Sequence, residues 1–280
     1  MVRLLACWGA IVIRLAIGGA PGRTSRAPRQ LPLMSSIVQP TRVLFDPLDA
    51  TGAAIEARRW VWPLLILAVC VSASGTAFSL RWDAGPAVVQ QMQMTGKLER
   101  ATETEISEEI QTASRKALVA GIAKGVFVMP LLTLLLAAAL WVAAWLVDRT
   151  APFGQLMSAA ALAMLPIALY HLIFTLCALA QHSLSEARVM DLVPSSLAAL
   201  DGLSPKAAKV LRGVDFFNLW SVALMGLGFS SATGMRKGRA VLLCTVLYVL
   251  FFGVFFVGLP EMMAGGPGGP RGAGGPGGGR

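Results

Sequence analysis

Acidic residues are missing from the most apolar parts of this chain. Five stretches of 20 residues or more contain no Asp or Glu, and Lys124 is the only basic residue within them. Charged residues make up 14% of the whole chain, against about 25% in ordinary soluble domains. The five stretches are residues 60–80, 117–147, 156–180, 216–235 and 240–260. With no carboxylate pair in these stretches, no H-E-x-x-H and no G-x-S-x-G motif, the sequence predicts a protein that is not an enzyme.

Cysteine and histidine are also too sparse to build a metal or redox site. The cysteines Cys7, Cys70, Cys177 and Cys244 are isolated, without a C-x-x-C pair or a histidine at ligand spacing. A buried cysteine of this kind behaves as a small apolar residue. We therefore predict no disulfide, no metal site and no cofactor.

The five apolar stretches are long enough to cross a lipid bilayer. A helix rises about 1.5 Å per residue and the hydrocarbon core is about 30 Å thick, so about 20 residues suffice. Backbone amides left unpaired in lipid would each cost several kcal/mol, so these stretches must be helices. The predicted fold is all-α: a polytopic integral membrane protein with a bundle of five transmembrane helices and a polar helix in the first loop.

Composition divides the chain into four parts. They are a leader (1–33), an amphipathic cytoplasmic lead (34–59), a membrane domain (60–260) and a glycine- and proline-rich tail (261–280). The tail is predicted to be disordered, because its composition cannot bury a core.

The leader and the lead allow more than one interpretation. The leader is either a signal peptide, against which Arg14 argues, or a stretch upstream of a true start at Met34. In the lead, a short apolar group is expected to lie in the membrane interface. This group comprises Ile37, Val43, Leu44 and Phe45.

The basic residues predict the orientation. A net charge of +9 would suggest nucleic acid in a soluble protein. Here eight of the 24 basic residues precede the first stretch, and Arg236, Lys237 and Arg239 fill the short connector between the last two. Basic residues in short loops favour the cytoplasmic side and its anionic leaflet. We predict a cytoplasmic N-terminus, contact with the lipid bilayer and no nucleic-acid partner.

The first loop, residues 81–116, is the acid-rich part of the chain. It holds six acidic residues against five basic ones. Ile106, Ile110 and Ala113 follow helical spacing, which predicts a polar helix that lies over the membrane and runs into the second stretch. Its acidic face is either a partner surface or an ordinary solvated face.

The second and third stretches contain features that interrupt a plain apolar helix. Lys124 is expected at the interface, where its side chain can reach the headgroups. Gly121 and Gly125 form a G-x-x-x-G pattern that permits close helix contact. Pro130 and Pro166 are expected to kink their helices.

His171 and Asn218 are the candidate polar side chains inside the membrane. Ionisable residues at this depth are functional candidates. His171 is either a neutral histidine hydrogen-bonded to a carbonyl group or a proton-relay site. Asp215, just before the fourth stretch, is expected to cap that helix.

Residues 192–250 carry a characteristic order of features. An Asp-x-Phe-x-x-Trp segment is followed by an alternating glycine pair and a small basic turn. The positions concerned are Asp215, Phe216, Phe217, Trp220, Gly226 and Gly228. Together with Pro166 and the P-T-R-V-L-F-D-P lead at 40–47, this order resembles the bacterial Yip-one-domain proteins, five-span relatives of Ypt/Rab-interacting proteins, over about residues 34–260.

The resemblance implies a five-helix membrane domain, here in the bacterial inner membrane. Eukaryotic relatives associate with Rab GTPases, but this chain lacks their D-L-Y-G-P segment, which argues against a Rab-type partner. We predict a non-catalytic scaffold, or an assembly or trafficking factor, that contacts other membrane proteins. The alternative is a small-solute or lipid transporter, with Pro130 and Pro166 as helix breaks and His171 and Asn218 as polar lining.

Overall fold

The computed structural model describes residues 43–44, 47–185, 189, 192–196, 211 and 215–253, and every regular element in these ranges is helical. The helices are α1 Pro47–Glu56, α2 Val61–Arg81, α3 Gly85–Met94, α4 Glu103–Ala123, α5 Met129–Leu146, α6 Phe153–Ala163, α7 Leu165–Ala180, α8 Phe216–Thr233 and α9 Lys237–Phe252. A π-helical segment, Lys124–Val128, joins α4 to α5. The predicted all-α fold is confirmed for these ranges. The predicted leader and tail lie outside them.

Three helical runs are long and apolar enough to cross a membrane: Val61–Arg81, Glu103–Leu146 and Phe153–Ala180. Each of them contains most or all of one of the first three predicted stretches, and the second run begins 14 residues before its predicted stretch. Large apolar side chains on their outer faces are exposed, among them Phe127 at 71%, which suits contact with lipid. Helix α8 has 18 residues and α9 is described only as far as its cap at Gly253, so five crossings remain a prediction.

Glycine lets α2 and α4 come into backbone contact. A Cβ atom on Gly75 would lie 2.5 Å from the Cα of Gly121, and a Cβ on Gly121 would lie 2.7 Å from the Cα of Gly75. A Cβ on Gly125 would lie 2.6 Å from the carbonyl oxygen of Ala68 and would also meet the Ser72 hydroxyl. Later residues of this helical run therefore contact earlier residues of α2, so the two helices are antiparallel. Glycine is needed at these positions because any larger residue would separate the backbones.

The π-helical segment lies directly before Pro130. The amide of Met129 donates to the carbonyl oxygen of Lys124, five residues earlier, instead of four. Proline has no amide hydrogen and its ring crowds the preceding turn. The wider turn accommodates both constraints, so α4, the π segment and α5 continue as one helical run of 44 residues.

The third predicted stretch consists of two helices. Helix α6 begins at Phe153, and the chain departs from helical hydrogen bonding at Met164 before α7 starts at Leu165. Pro166 is the second residue of α7, a position that a proline tolerates because the first amides of a helix have no partner within it. The break therefore lies two residues before Pro166, the proline that was expected to kink this stretch.

Helix α6 is the centre of the main core. All eight residues from Leu156 to Ala163 are buried, and the helix packs against α1, α5 and α8. A helix that is apolar on every side is expected in such a position. Ala159 contacts Gly228 of α8, where a Cβ would lie 2.7 Å from the alanine Cβ, and Phe229 beside it is fully buried.

One expectation for the lead segment was wrong. Val43, expected in the membrane interface, is fully buried in the main core. Helix α1 follows it and brings Ile55 to within 3.3 Å of a Cβ built on Gly228. The lead therefore packs onto the helical bundle, because α6 and α8 offer it an apolar surface.

The polar helix predicted in the first loop is the first part of α4, which runs into the second stretch as expected. Helix α4 starts at Glu103 with a capping box, in which Thr102 and Glu105 exchange hydrogen bonds, and it continues unbroken to Ala123. Those bonds from Thr102 lower the pKa of the exposed Glu105 carboxyl. Gly121 packs against Gly75, so the polar part of α4 extends along the same axis. The loop also contains α3, which packs beside α4.

We predict that Gly121→Ala weakens the bundle. The new methyl group would meet the Gly75 backbone, which cannot move aside as a flexible side chain could, and overpacking of this kind costs about 1–3 kcal/mol. Thermal unfolding in detergent measures the loss. Gly238→Ala in α9 is the matched control, because nothing lies within 4 Å of its Cβ position. Equal stability of the two variants would contradict the contact.

Candidate intramembrane polar site

Two membrane helices are joined by a polar side-chain contact. The Oγ of Ser74 in α2 lies 2.8 Å from the Nδ1 of His171 in α7, and it also lies 2.9 Å from the carbonyl oxygen of Val71. A hydroxyl has one hydrogen. If Ser74 donates it to Val71, then Nδ1 of His171 donates to Ser74; if Ser74 donates to His171, the ring accepts. In one of the two sequence-based interpretations of His171 its hydrogen-bond partner was a carbonyl group; the partner observed at Nδ1 is the Ser74 hydroxyl.

The Ser74–His171 contact lies within the apolar lengths of both helices. With 21 residues, α2 is about 31 Å long, which is enough for the hydrocarbon core. Trp60 and Trp82 flank it, and tryptophan is enriched at membrane interfaces. Ser74 lies seven residues before the end of α2, and His171 is the seventh residue of α7.

Lys124 lies on the π-helical segment, beside Gly125. Gly125 packs against Ala68 and Ser72 of α2, and the Lys124 side chain is exposed on the outer surface of the described chain. Its place at the membrane interface stays a prediction.

Asp215 caps the N-terminus of helix α8. A carboxylate oxygen of Asp215 accepts a hydrogen bond of 2.9 Å from the backbone amide of Asn218. The side-chain amide of Asn218 donates to the other carboxylate oxygen. Asn218 is thus engaged by its own helix cap. This is the arrangement expected for an N-cap aspartate, which satisfies open amides and suits the helix dipole.

Aromatic rings connect the cap to the histidine. The ring of Tyr170 lies 5.5 Å from that of Phe217 and 5.4 Å from that of His171. Phe216 contacts Trp220 at 5.4 Å, and Trp220 packs against the main core. Edge-to-face and tilted rings at these distances are mutually attractive. The structure thus brings Asp215, Phe217 and His171 into one neighbourhood.

The remaining predicted residues lie elsewhere. Gly226 faces α9, where its Cβ would lie 2.5 Å from the Cα of Val241, and Gly228 faces α6. Gly121 and Gly125 face α2. These glycines set distances between helices and take no part in the polar site.

Ser74 and Gly75, which complete the site and the helix contact, were missed by the sequence analysis. The signal was present as the run Ser72-Ala73-Ser74-Gly75-Thr76, a cluster of small and polar residues in an otherwise apolar span. Such residues are enriched where membrane helices meet.

The site offers hydrogen bonding between two helices. Within the described residues, no group of three His, Cys, Asp or Glu side chains is placed to hold a metal ion. A serine and a histidine without a carboxylate partner lack the third group that orients a nucleophile and base pair. The observed chemistry is therefore a polar contact between α2 and α7.

We predict that Asp215→Ala lowers the stability of the protein in detergent by about 1 kcal/mol, the usual value of an N-cap. The reason is the loss of the bonds to the Asn218 amides. Asp215→Asn is the matched variant, since asparagine also caps helices well. Thermal unfolding of both variants checks the assignment. A loss of the same size in both would mean that the carboxylate charge, and not the cap, is required.

A comparison with known families identifies the family of this chain. The Yip1 domain profile matches residues 41–259, which include every helix described above. The chain matches no curated protein and no solved structure significantly. Because the match covers most of the chain and spans the apolar helices, the protein is an integral membrane protein that belongs to the Yip1 domain family.

Proposed function

We propose that this protein is a non-catalytic membrane scaffold, an assembly or trafficking factor that holds other membrane components in place. The observation that supports this most is the polar part of α4 that extends beyond the end of α2. Gly75 of α2 lies level with Gly121 of α4, and the two helices run in opposite directions. Arg81, the last residue of α2, lies six residues after Gly75, so the α4 residue at its level is Arg115, six residues before Gly121. Residues 103–114 extend beyond that level by about 18 Å.

This extension, which we call the arm (α3 and residues 103–114 of α4), suits contact with a partner. Its surface is polar and carries exposed acidic side chains, Glu103, Glu105, Glu108 and Glu109. A helix that continues directly from the membrane has a fixed direction, so a partner bound to the arm is held at a fixed distance from the bilayer. Enzymatic function would need reacting groups that the polar site lacks.

We further propose five crossings with the N-terminus in the cytoplasm, in the bacterial inner membrane. The packing supports this orientation by gathering basic segments at one end. The side chain of Arg58 lies against Gly154, five residues after Arg149, and Gly52 lies near Ser231 at the end of α8. The connector with Arg236, Lys237 and Arg239 follows immediately. Several basic residues at one end of the bundle favour the cytoplasmic side for that end.

The topology predicts an alternating labelling pattern. Single cysteines are placed at exposed positions in a chain whose native cysteines are replaced by alanine: Glu56, Gly96, Arg149, Ser183 and Gly238. A membrane-impermeant maleimide should label Gly96 and Ser183 from outside in intact cells, and the other three only after the membrane is opened. Labelling of Gly96 and Arg149 from the same side would contradict the second crossing.

The scaffold function predicts contact through the arm without transport. A photo-crosslinking residue at the exposed position Ser107 should give discrete adducts in native membranes, and Glu108→Lys with Glu109→Lys should abolish them. The control is the same photo-crosslinking residue at Leu135 on the outer face of α5, whose adducts should not respond to those changes.

The scaffold function also predicts that purified protein in liposomes moves no solute. Flux that is lost in His171→Ala would instead establish the transporter alternative.

A further inference from the structure

Helix α1 and the turn that follows it contain two unfavourable features. Thr51 is only 2% exposed, and its buried hydroxyl has no hydrogen-bond partner among the described residues. Arg58 has a backbone φ of 50°, in the left-handed region that residues with a side chain rarely adopt. Release of α1 from the bundle would relieve both, because the hydroxyl would meet water and the turn could relax.

Arg58 occupies the position at which many helices end with glycine. Its amide donates to the carbonyl oxygen of Ile55 at 3.0 Å, and the amide of Arg59 donates to the carbonyl oxygen of Ala54 at 3.1 Å. This pair of bonds closes the end of α1 and requires a left-handed residue at position 58. Glycine adopts that conformation without steric cost, whereas arginine does not. The turn between α1 and α2 is therefore strained while α1 is docked.

A small apolar face holds α1 on the bundle. Ala54 and Ile55 are buried in the main core, and Ile55 comes within 3.3 Å of a Cβ built on Gly228 of α8. With ten residues, α1 is shorter than the roughly 12–15 residues that an isolated helix needs in water. Gly52 in its middle lowers its helix propensity further. The helical form of α1 therefore depends on the contact with α6 and α8.

We propose that α1 is a latch, which leaves the surface of α6 and α8 and docks again while the other helices stay folded. Segments with little buried apolar surface open locally at a lower free energy than the core. Release uncovers Gly228 of α8, against which Ile55 packs in the docked state. The latch depends neither on the scaffold function nor on the number or depth of the membrane crossings.

The accessibility of a single buried cysteine measures the release. In a full-length chain whose native cysteines are replaced by alanine, cysteine is introduced at Ala54 of α1 or, as the matched reference, at Ala144 of α5. Both alanines are 1% exposed and belong to the main core. In detergent, we expect a maleimide to label Ala54→Cys at least about ten-fold faster than Ala144→Cys. Low concentrations of urea should hardly accelerate labelling at Ala54→Cys, because local release exposes little surface, but should accelerate it at Ala144→Cys.

Two substitutions should hold the latch in place. Thr51→Val replaces the unpaired hydroxyl by a methyl group of similar size, and Arg58→Gly removes the strain in the turn. Each should slow labelling at Ala54→Cys by about five-fold. The control is Thr112→Val at an exposed position of α4, which should leave the rate unchanged. Hydrogen exchange of the chain without any substitution is an independent measure, in which the amides of α1 should exchange faster than those of α6.

Three outcomes would overturn the proposal. Labelling at Ala54→Cys and Ala144→Cys could proceed at the same rate, or could rise equally steeply with urea, which would mean that α1 opens only when the whole bundle unfolds. In the third outcome, neither Thr51→Val nor Arg58→Gly slows labelling at Ala54→Cys, which would mean that the buried hydroxyl and the strained turn do not oppose docking. Slow exchange of the α1 amides in the unsubstituted chain would show that the cysteine itself had loosened the helix.

Discussion

The contact between α2 and α4 at Gly75 and Gly121 determines how the first two helical runs are aligned. A methyl group on either glycine would meet the backbone of the other helix, so the contact fixes the position of α4 along α2. The arm extends beyond the end of α2 for this reason. If α4 slid by two turns along α2, the length of the arm beyond the end of α2 would change by about 11 Å.

The main core depends on a different kind of fit. Helix α6 is surrounded by α1, α5 and α8, and its alanines allow those helices to approach from several sides. Small residues give each contact little apolar area, but they let many backbone atoms come within van der Waals distance. Such packing drives helix association in a membrane, because lipid already solvates apolar side chains there. The break at Met164 then redirects the chain, so that α7 packs against α2 while α6 stays in the core.

The sequence predicts those properties of this protein that depend on single segments. Length and apolarity predicted the three helical runs that are apolar enough to cross a membrane, Asp215 was expected to cap α8 because of its place before an apolar run, and Pro166 marked a break. Properties that need two segments were not accessible. The close approach of Gly121 requires its pairing with Gly75, the burial of Val43 requires the surface formed by α6 and α8, and Ser74 gains its importance only beside His171.

The π-helical turn before Pro130 sets the rotation of α5 relative to the arm. A turn with five-residue hydrogen-bond spacing contains about one residue more than a regular turn, so every residue of α5 is shifted by one position relative to an unbroken α-helix. Each residue rotates a helix by about 100°, so the extra residue turns all of α5 relative to the arm. Ala137, Leu140 and Ala144 of α5 belong to the main core in this rotation. Without the extra residue, the arm would be unchanged but the core face of α5 would turn towards lipid.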